Sequence, residues 1–213
     1  EMCIRDRYGT FTVTQPETYG SVVTIVGYDD MYKADKTYST TLTFPATAKS
    51  VLIDSCDTCG ILIGDSNFLH NDFQIPSMPS SEYTHRQIIG FIAMIACGNA
   101  RIDRTGHLQI MTYDFNYDSG NVHTLTDYNT LTNDTNDVQV TGVQMTKTVT
   151  KTTTDEDGNE NEEDVEELVK YGSDGYVLEI ENPLVAGHEE TLVSWIYERF
   201  KDAVSYTHLR AHE

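Results

Sequence analysis

Two stretches of this chain repeat apolar or small residues with the spacing of a buried helix face. Ala48, Val51, Leu52, Ser55, Cys56 and Cys59 recur at i, i+3, i+4 and i+7. Thr47 stands before this run as an N-cap, and Gly60 follows it as the left-handed stop. Thr84 opens a second helix with Gln87 three residues on, a capping box in which each side chain satisfies an orphan backbone donor. From Ile88 to Cys97 this helix is apolar nearly all round, which predicts burial on more than one side, and Gly98 is its expected end.

The flanking segments carry strand signals. Phe11 to Thr14 alternates apolar and polar residues, Gln15 to Gly20 holds turn residues, and Ser21 to Tyr28 is rich in β-branched side chains, so a hairpin is expected. Thr37 to Phe44 reads as another strand, stopped by Pro45. Ala100 to Met111 reads as a second hairpin, with Gly106 for the positive φ of its loop. Asn116 to Asp137 turns to Asp, Asn, Thr and Tyr and is expected to be loop and linker. Val138 to Thr153 is strand-like, Asp155 to Glu167 is densely acidic, and Leu168 to Tyr171 and Tyr176 to Ile180 resume strand character, a long hairpin with a charged tip. Glu189 to Lys201 presents Leu192, Trp195, Ile196 and Phe200 at helical spacing. The sum is an α+β chain, mostly antiparallel, without an internal repeat.

The two ends are expected to be foreign to the fold. Val204 to His208 is encodable by GTC TCT TAT ACA CAT, and the reverse complement of that DNA, ATG TGT ATA AGA GAC, encodes Met2 to Asp6. Sequencing adapters flanking an insert produce this arrangement, and the pattern resembles the translated transposon end used in them. Residues 1–7 and 204–213 are therefore set aside as adapter-derived. The natural protein is expected to extend beyond both ends.

Setting them aside removes Arg5, Arg7 and Arg210 against Glu1, Asp6 and Glu213, so the net charge stays at −20. A surface this acidic repels phosphate, and stable nucleic-acid binding is not expected. The apolar runs fall far short of the roughly 20 residues that span a bilayer, so a soluble protein without membrane insertion or signal peptide is expected. Cys56, Cys59 and Cys97 remain, an odd and sparse set that suits a reducing compartment better than a disulfide framework.

Several constellations invite chemistry and fall short of it. Cys56 and Cys59 form a CxxC, but at the C-terminal end of their helix, where the dipole opposes a thiolate, and no further pair completes a zinc site. Ile63 to Asn67 resembles the start of a GDS-type serine hydrolase around Ser66. No histidine has the Asp three residues before it that would supply that family's base. Asp155, Asp157, Asn159, Asn161, Glu163 and Glu166 occupy calcium-loop positions 1, 3, 5, 7, 9 and 12, yet position 6 is Glu160 in place of glycine. A solvated, mobile loop is the expectation for that run. His70, His85, His107, His123 and His188 are scattered and read as surface or capping residues. Trp195 reads as core or packing interface. No catalytic, cofactor-binding or metal residue, and no cofactor, is assigned.

The residues in order resemble one family. Val23 to Met31, Lys33 to Tyr38, Phe44 to Thr47, Leu52 to Gly60, Phe68 to Asp72, Thr84 to Ala93 and Ala100 to Leu108 follow one another as in the hub region of phage and prophage tail proteins. The resemblance covers Phe11 to about Tyr113 and the rest loosely. It implies a virion structural protein of the tail tip or baseplate hub, made in the host cytoplasm. The subunit would trimerise into a pseudo-sixfold ring that joins tail tube, distal tail and tip. It also implies barrel-like β domains, with residues 8–36 ending the first, 37–114 a small α/β insert, 115–137 a linker and 138–203 a second domain with an acidic hairpin and terminal helix. Any peptidase or glycan-cleaving module would lie beyond Ala203. A carbohydrate or host-surface binding module is the alternative, and a hydrolase a more distant one.

Overall fold

In the computed structural model, residues 9–113, 130–132, 139–154, 160–201 and 210–212 are described. They belong to two compact units, one running to Tyr113 and including Asn182–Ala186, the other taking the remainder.

The first unit is organised by its two capped helices. Helix α1 (Ala48–Cys59) starts where Thr47 Oγ1 accepts the Ser50 amide at 3.1 Å and stops at Gly60, whose φ is +66°. Its buried residues are the six that the spacing singles out. Helix α2 (His85–Ile95) carries the complete capping box: Thr84 Oγ1 accepts the Gln87 amide, and the Gln87 side chain accepts the Thr84 amide at 2.8 Å. Ile88, Ile89, Ile92 and Ile95 are fully buried. Each such side chain contributes about 1.5–3 kcal/mol by leaving water.

Strands β1 (Thr12–Tyr19) and β2 (Val22–Tyr28) form the first hairpin. Its loop is Gly20–Ser21 only, with Gly20 at φ +62°. Gln15 to Tyr19, expected as turn, are strand, because Pro16 needs no amide on the edge of a two-stranded ribbon. A short 3-10 helix (Asp30–Ala34) follows, capped by Asp29. Thr37 to Phe44 is not the expected strand. Only Thr37 makes a β-bridge, to Thr84, and Tyr38 alone is buried, since β-branched residues without a neighbouring ladder have nothing to pair with. After the cis Phe44–Pro45 peptide, β3 (Ala46–Thr47) leads into α1.

Strand β4 (Leu62–Asp65) comes next, and β5 (Gln74–Ile75) pairs antiparallel with β3. Beyond α2, β6 (Gly98–Ile102) and β7 (His107–Thr112) form the second hairpin, with Gly106 at φ +89°. Strand β7 is central, flanked by β6 antiparallel and β4 parallel. Gly98 does not end α2. The left-handed residue is Cys97 at φ +51°, and Gly98 opens β6, where a Cβ would stand 1.8 Å from the Met111 carbonyl oxygen. The glycine is used for close backbone approach, so a bulkier residue has to make the turn.

In the second unit, β8 (Thr130–Thr132) is the described part of the expected linker, and its neighbours lie outside the described residues. Strands β9 (Gly142–Thr154) and β10 (Glu160–Gly172) form the long hairpin, in unbroken register over 13 pairs. The acidic run is therefore largely strand: Glu160 to Glu167 pair with β9, while residues 155–159 lie outside the described residues. Alternation lets eight residues rich in carboxylates extend without crowding, since successive side chains point to opposite faces. Strand β11 (Val177–Glu179) joins β9 in parallel, giving the order β10-β9-β11. A second 3-10 helix (Pro183–Val185), in the first unit, packs on α2.

Helix α3 (Glu189–Phe200) lies on one face of β9 and β10, burying Leu192, Val193 and Ile196 with Val143, Met145 and Val169. Trp195 and Phe200 are half-buried. Strand β12 (Arg210–His212) pairs antiparallel with β8. The architecture is α+β, and the sheets of the described residues are open ribbons of two or three strands.

Candidate functional site

The most polar place in either core is where α1, the N-terminus of α2 and the segment 36–39 meet. Paired backbone groups strap that segment to α2: His85 N–H donates to Lys36 at 2.9 Å and Tyr38 N–H to Tyr83 at 2.8 Å. His85, read from sequence as a surface or capping residue, is fully buried. It is the first residue of α2, and Ile88, Ile89 and Ile92 follow it at i+3, i+4 and i+7, so the signal for its burial was present in the spacing.

His85 Nε2 accepts the Ser39 amide at 3.4 Å, and the Tyr38 ring meets it edge-on with centroids 5.0 Å apart. An accepting Nε2 carries no proton, so the neutral ring holds its hydrogen on Nδ1. Burial holds His85 below its ordinary pKa of 6.5, with Asp54 pulling upward and Lys36 pushing down. Burial likewise lifts the Tyr38 phenol above 10.0. Tyr38 Oη, Asp54 Oδ2, Ser55 Oγ and His85 Nδ1 are buried without a hydrogen bond among the described residues. The arrangement keeps an uncharged imidazole at a junction of three segments, and the composition of 36–39 gave no hint of it.

The other candidates are placed as follows. Cys56, Cys59 and Cys97 are buried thiols outside any disulfide, and burial pushes Cys56 to about 12, the reverse of an activated thiolate. Ser66 follows β4, where Asp65 Oδ1 accepts the Asn67 amide at 2.8 Å, and among the described residues no hydrogen bond joins Ser66 to a histidine. Of the calcium-loop set, Asn161, Glu163 and Glu166 lie on extended β10, where Glu166 points to the opposite face from Glu163. Asp155, Asp157 and Asn159 lie outside the described residues, as does His123. Among the described residues no cluster of three or more His, Cys, Asp or Glu is placed to hold a metal. His70 adopts a left-handed φ of +59°, and His107 Nδ1 bonds Thr105 Oγ1 at 2.8 Å. His188 is exposed at the start of α3. No helix of the described residues is long and apolar enough to cross a membrane.

Two surfaces stand out. Hairpin β1–β2 exposes Val13, Val22, Val23, Ile25 and Tyr28, each more than half accessible. Hairpin β9–β10 exposes carboxylates. No protein-family model, curated protein or solved structure matches the chain.

Proposed function

We propose that this chain is a structural piece of a phage tail hub, a subunit that assembles as a trimeric ring between the tail tube and the distal tip. The observation that carries the reading is hairpin β1–β2. Val22 lies on one face of β2 and Val23 and Ile25 on the other, each 60–63% exposed, so both faces of this strand present open apolar side chains. A two-stranded ribbon is marginal by itself, and an exposed apolar one needs further strands to cover it. Barrel-like β domains completed by additional chain or by a neighbouring subunit meet that need. The ordered motif series from Phe11 to Tyr113 points the same way.

Electron micrographs of the purified chain, alone and extended by its flanking coding sequence, test the reading. Threefold rings that dock on tail tubes are expected. A monomer retaining glycans on an array would replace it with the second reading, a host-surface binding module, which the half-exposed Tyr171 and Tyr176 favour as stacking platforms. Ester hydrolysis lost on Ser66→Ala would replace both.

A further inference from the structure

The two faces of hairpin β9–β10 differ in how their charge is met. On the face shared with α3, Lys151 pairs with Glu167 at 2.9 Å, and Lys147 lies within 3.8 Å of Glu167 and 3.6 Å of Glu190. On the opposite face, Glu162, Asp164 and Glu166 stand across from Thr152, Thr150 and Thr148. Threonine supplies a hydrogen bond, as Thr150 does to Asp164 at 2.8 Å, but no positive charge. The lysine of that face, Lys170, is engaged by Asp174. Three exposed carboxylates thus follow one another at a spacing of about 7 Å with no cation opposite.

The complementary surface lies in the first unit. There Lys33 pairs with Asp30, and Arg86 is held by both oxygens of Asp35. Arg101 and Arg104 are exposed, and neither is in an ion pair among the described residues. They border an open groove of about 640 Å³ at the β6–β7 turn. The turn is rigidly set: Asp103 accepts from the amides of Thr105 and His107 and from the side chains of Thr105 and Gln109, at 2.7–3.0 Å. Asp103 is therefore occupied internally, and the arginines on either side of it face solvent.

We propose that the Arg101–Arg104 turn of one copy docks on the Glu162, Asp164 and Glu166 face of a second copy. The occupant is a second copy because the same chain carries both halves of the complementarity, each uncompensated where it stands. Such a head-to-tail contact is heterologous, the kind that closes into a ring when the rotation allows. The inference rests on the assembly reading above.

Sedimentation of charge-reversed chains tests it. Wild type is expected to self-associate at moderate ionic strength, where the repulsion of its −20 net charge is screened over distance but the close Arg–carboxylate pairs are not, and to weaken as salt is raised further. Arg101→Glu with Arg104→Glu, and separately Asp164→Arg with Glu166→Arg, are each expected to weaken association more than about tenfold, because like charges then face each other. An equimolar mixture of the two variants is expected to associate in alternating order, into mixed pairs and even-numbered assemblies and not into a threefold ring, and this also shows that both are folded. Variants that assemble as wild type does overturn the contact and leave the hub reading intact. A wild-type chain that stays monomeric at every salt concentration overturns the hub reading and the contact with it. All four changes in one chain are expected to restore the wild-type assembly, since every contact is again between opposite charges; should the mixture stay wholly monomeric while that chain assembles, the pairing is internal to one molecule and the proposal is wrong.

Discussion

Asn182 donates its side-chain amide to the Phe91 carbonyl at 2.9 Å, joining residues 91 positions apart, while its Oδ1 accepts the Leu184 amide at 3.0 Å. One buried side chain thus anchors the second 3-10 helix to α2. Asn182→Ala removes both bonds and leaves the Leu184 amide without its acceptor, while the Phe91 carbonyl keeps its place in the α2 ladder, and a loss of about 1–3 kcal/mol is expected. Hydrogen exchange at α2 amides reads it, whereas fluorescence of Trp195, the one tryptophan, reports on the second unit.

His85 makes the first unit sensitive to acid. Its pKa is lowered in the fold, so the unfolded chain binds the proton first as pH falls. The stability it contributes is complete above its ordinary value of 6.5 and is lost as pH falls from there through the depressed value. Protonation also turns Nε2 from acceptor to donor, against the Ser39 amide. Protection of α2 amides is expected to fall between neutral and mildly acidic pH, and less so in His85→Gln. Equal pH dependence in the two proteins counts against this assignment.

Two glycines are expected to respond differently to alanine. At Gly60 a Cβ meets nothing within 4 Å, so only the left-handed φ resists, and a cost of about 1 kcal/mol is expected. At Gly98 the Cβ would overlap the Met111 carbonyl, and a loss above about 4 kcal/mol or failure to fold is expected. Urea unfolding of the two variants separates the cases.

Asp103 organises the β6–β7 turn as a carboxylate, and its hydrogen bonds, first from the His107 amide and then from the Thr105 side chain, lower its pKa from 3.8 to about 2. Its support is present above 3.8 and disappears as pH falls through about 2. Asp103→Ala is expected to speed exchange at Thr105 and His107 while leaving α1 unchanged, as two-dimensional NMR would record.

The helices were legible because their signals are local: Thr47, Gly60, Thr84 and Gln87 act within four residues, and the spacing of Val51 to Cys59 specifies a face without reference to anything distant. Gly106 was legible for the same reason. What failed depended on partners. Thr37 to Phe44 has strand composition but no ladder to join, and Glu160 to Glu167 has loop composition but β9 beside it. Gly98 lost the helix end to Cys97 because Met111, 13 residues on, presses its backbone against it. The buried polar junction was missed at Tyr38 and Asp54, since only the fold brings them toward His85.

Strand β11 pairs with β9 in parallel through Val177, Leu178 and Glu179, beside the base of the long hairpin. The arrangement makes a mechanical clamp. Tension applied between residues 141 and 180 would pull these two strands past each other in shear, loading their ladder bonds together. The hairpin hangs beyond that clamp as a spur and bears none of the pull until the three-residue pair parts.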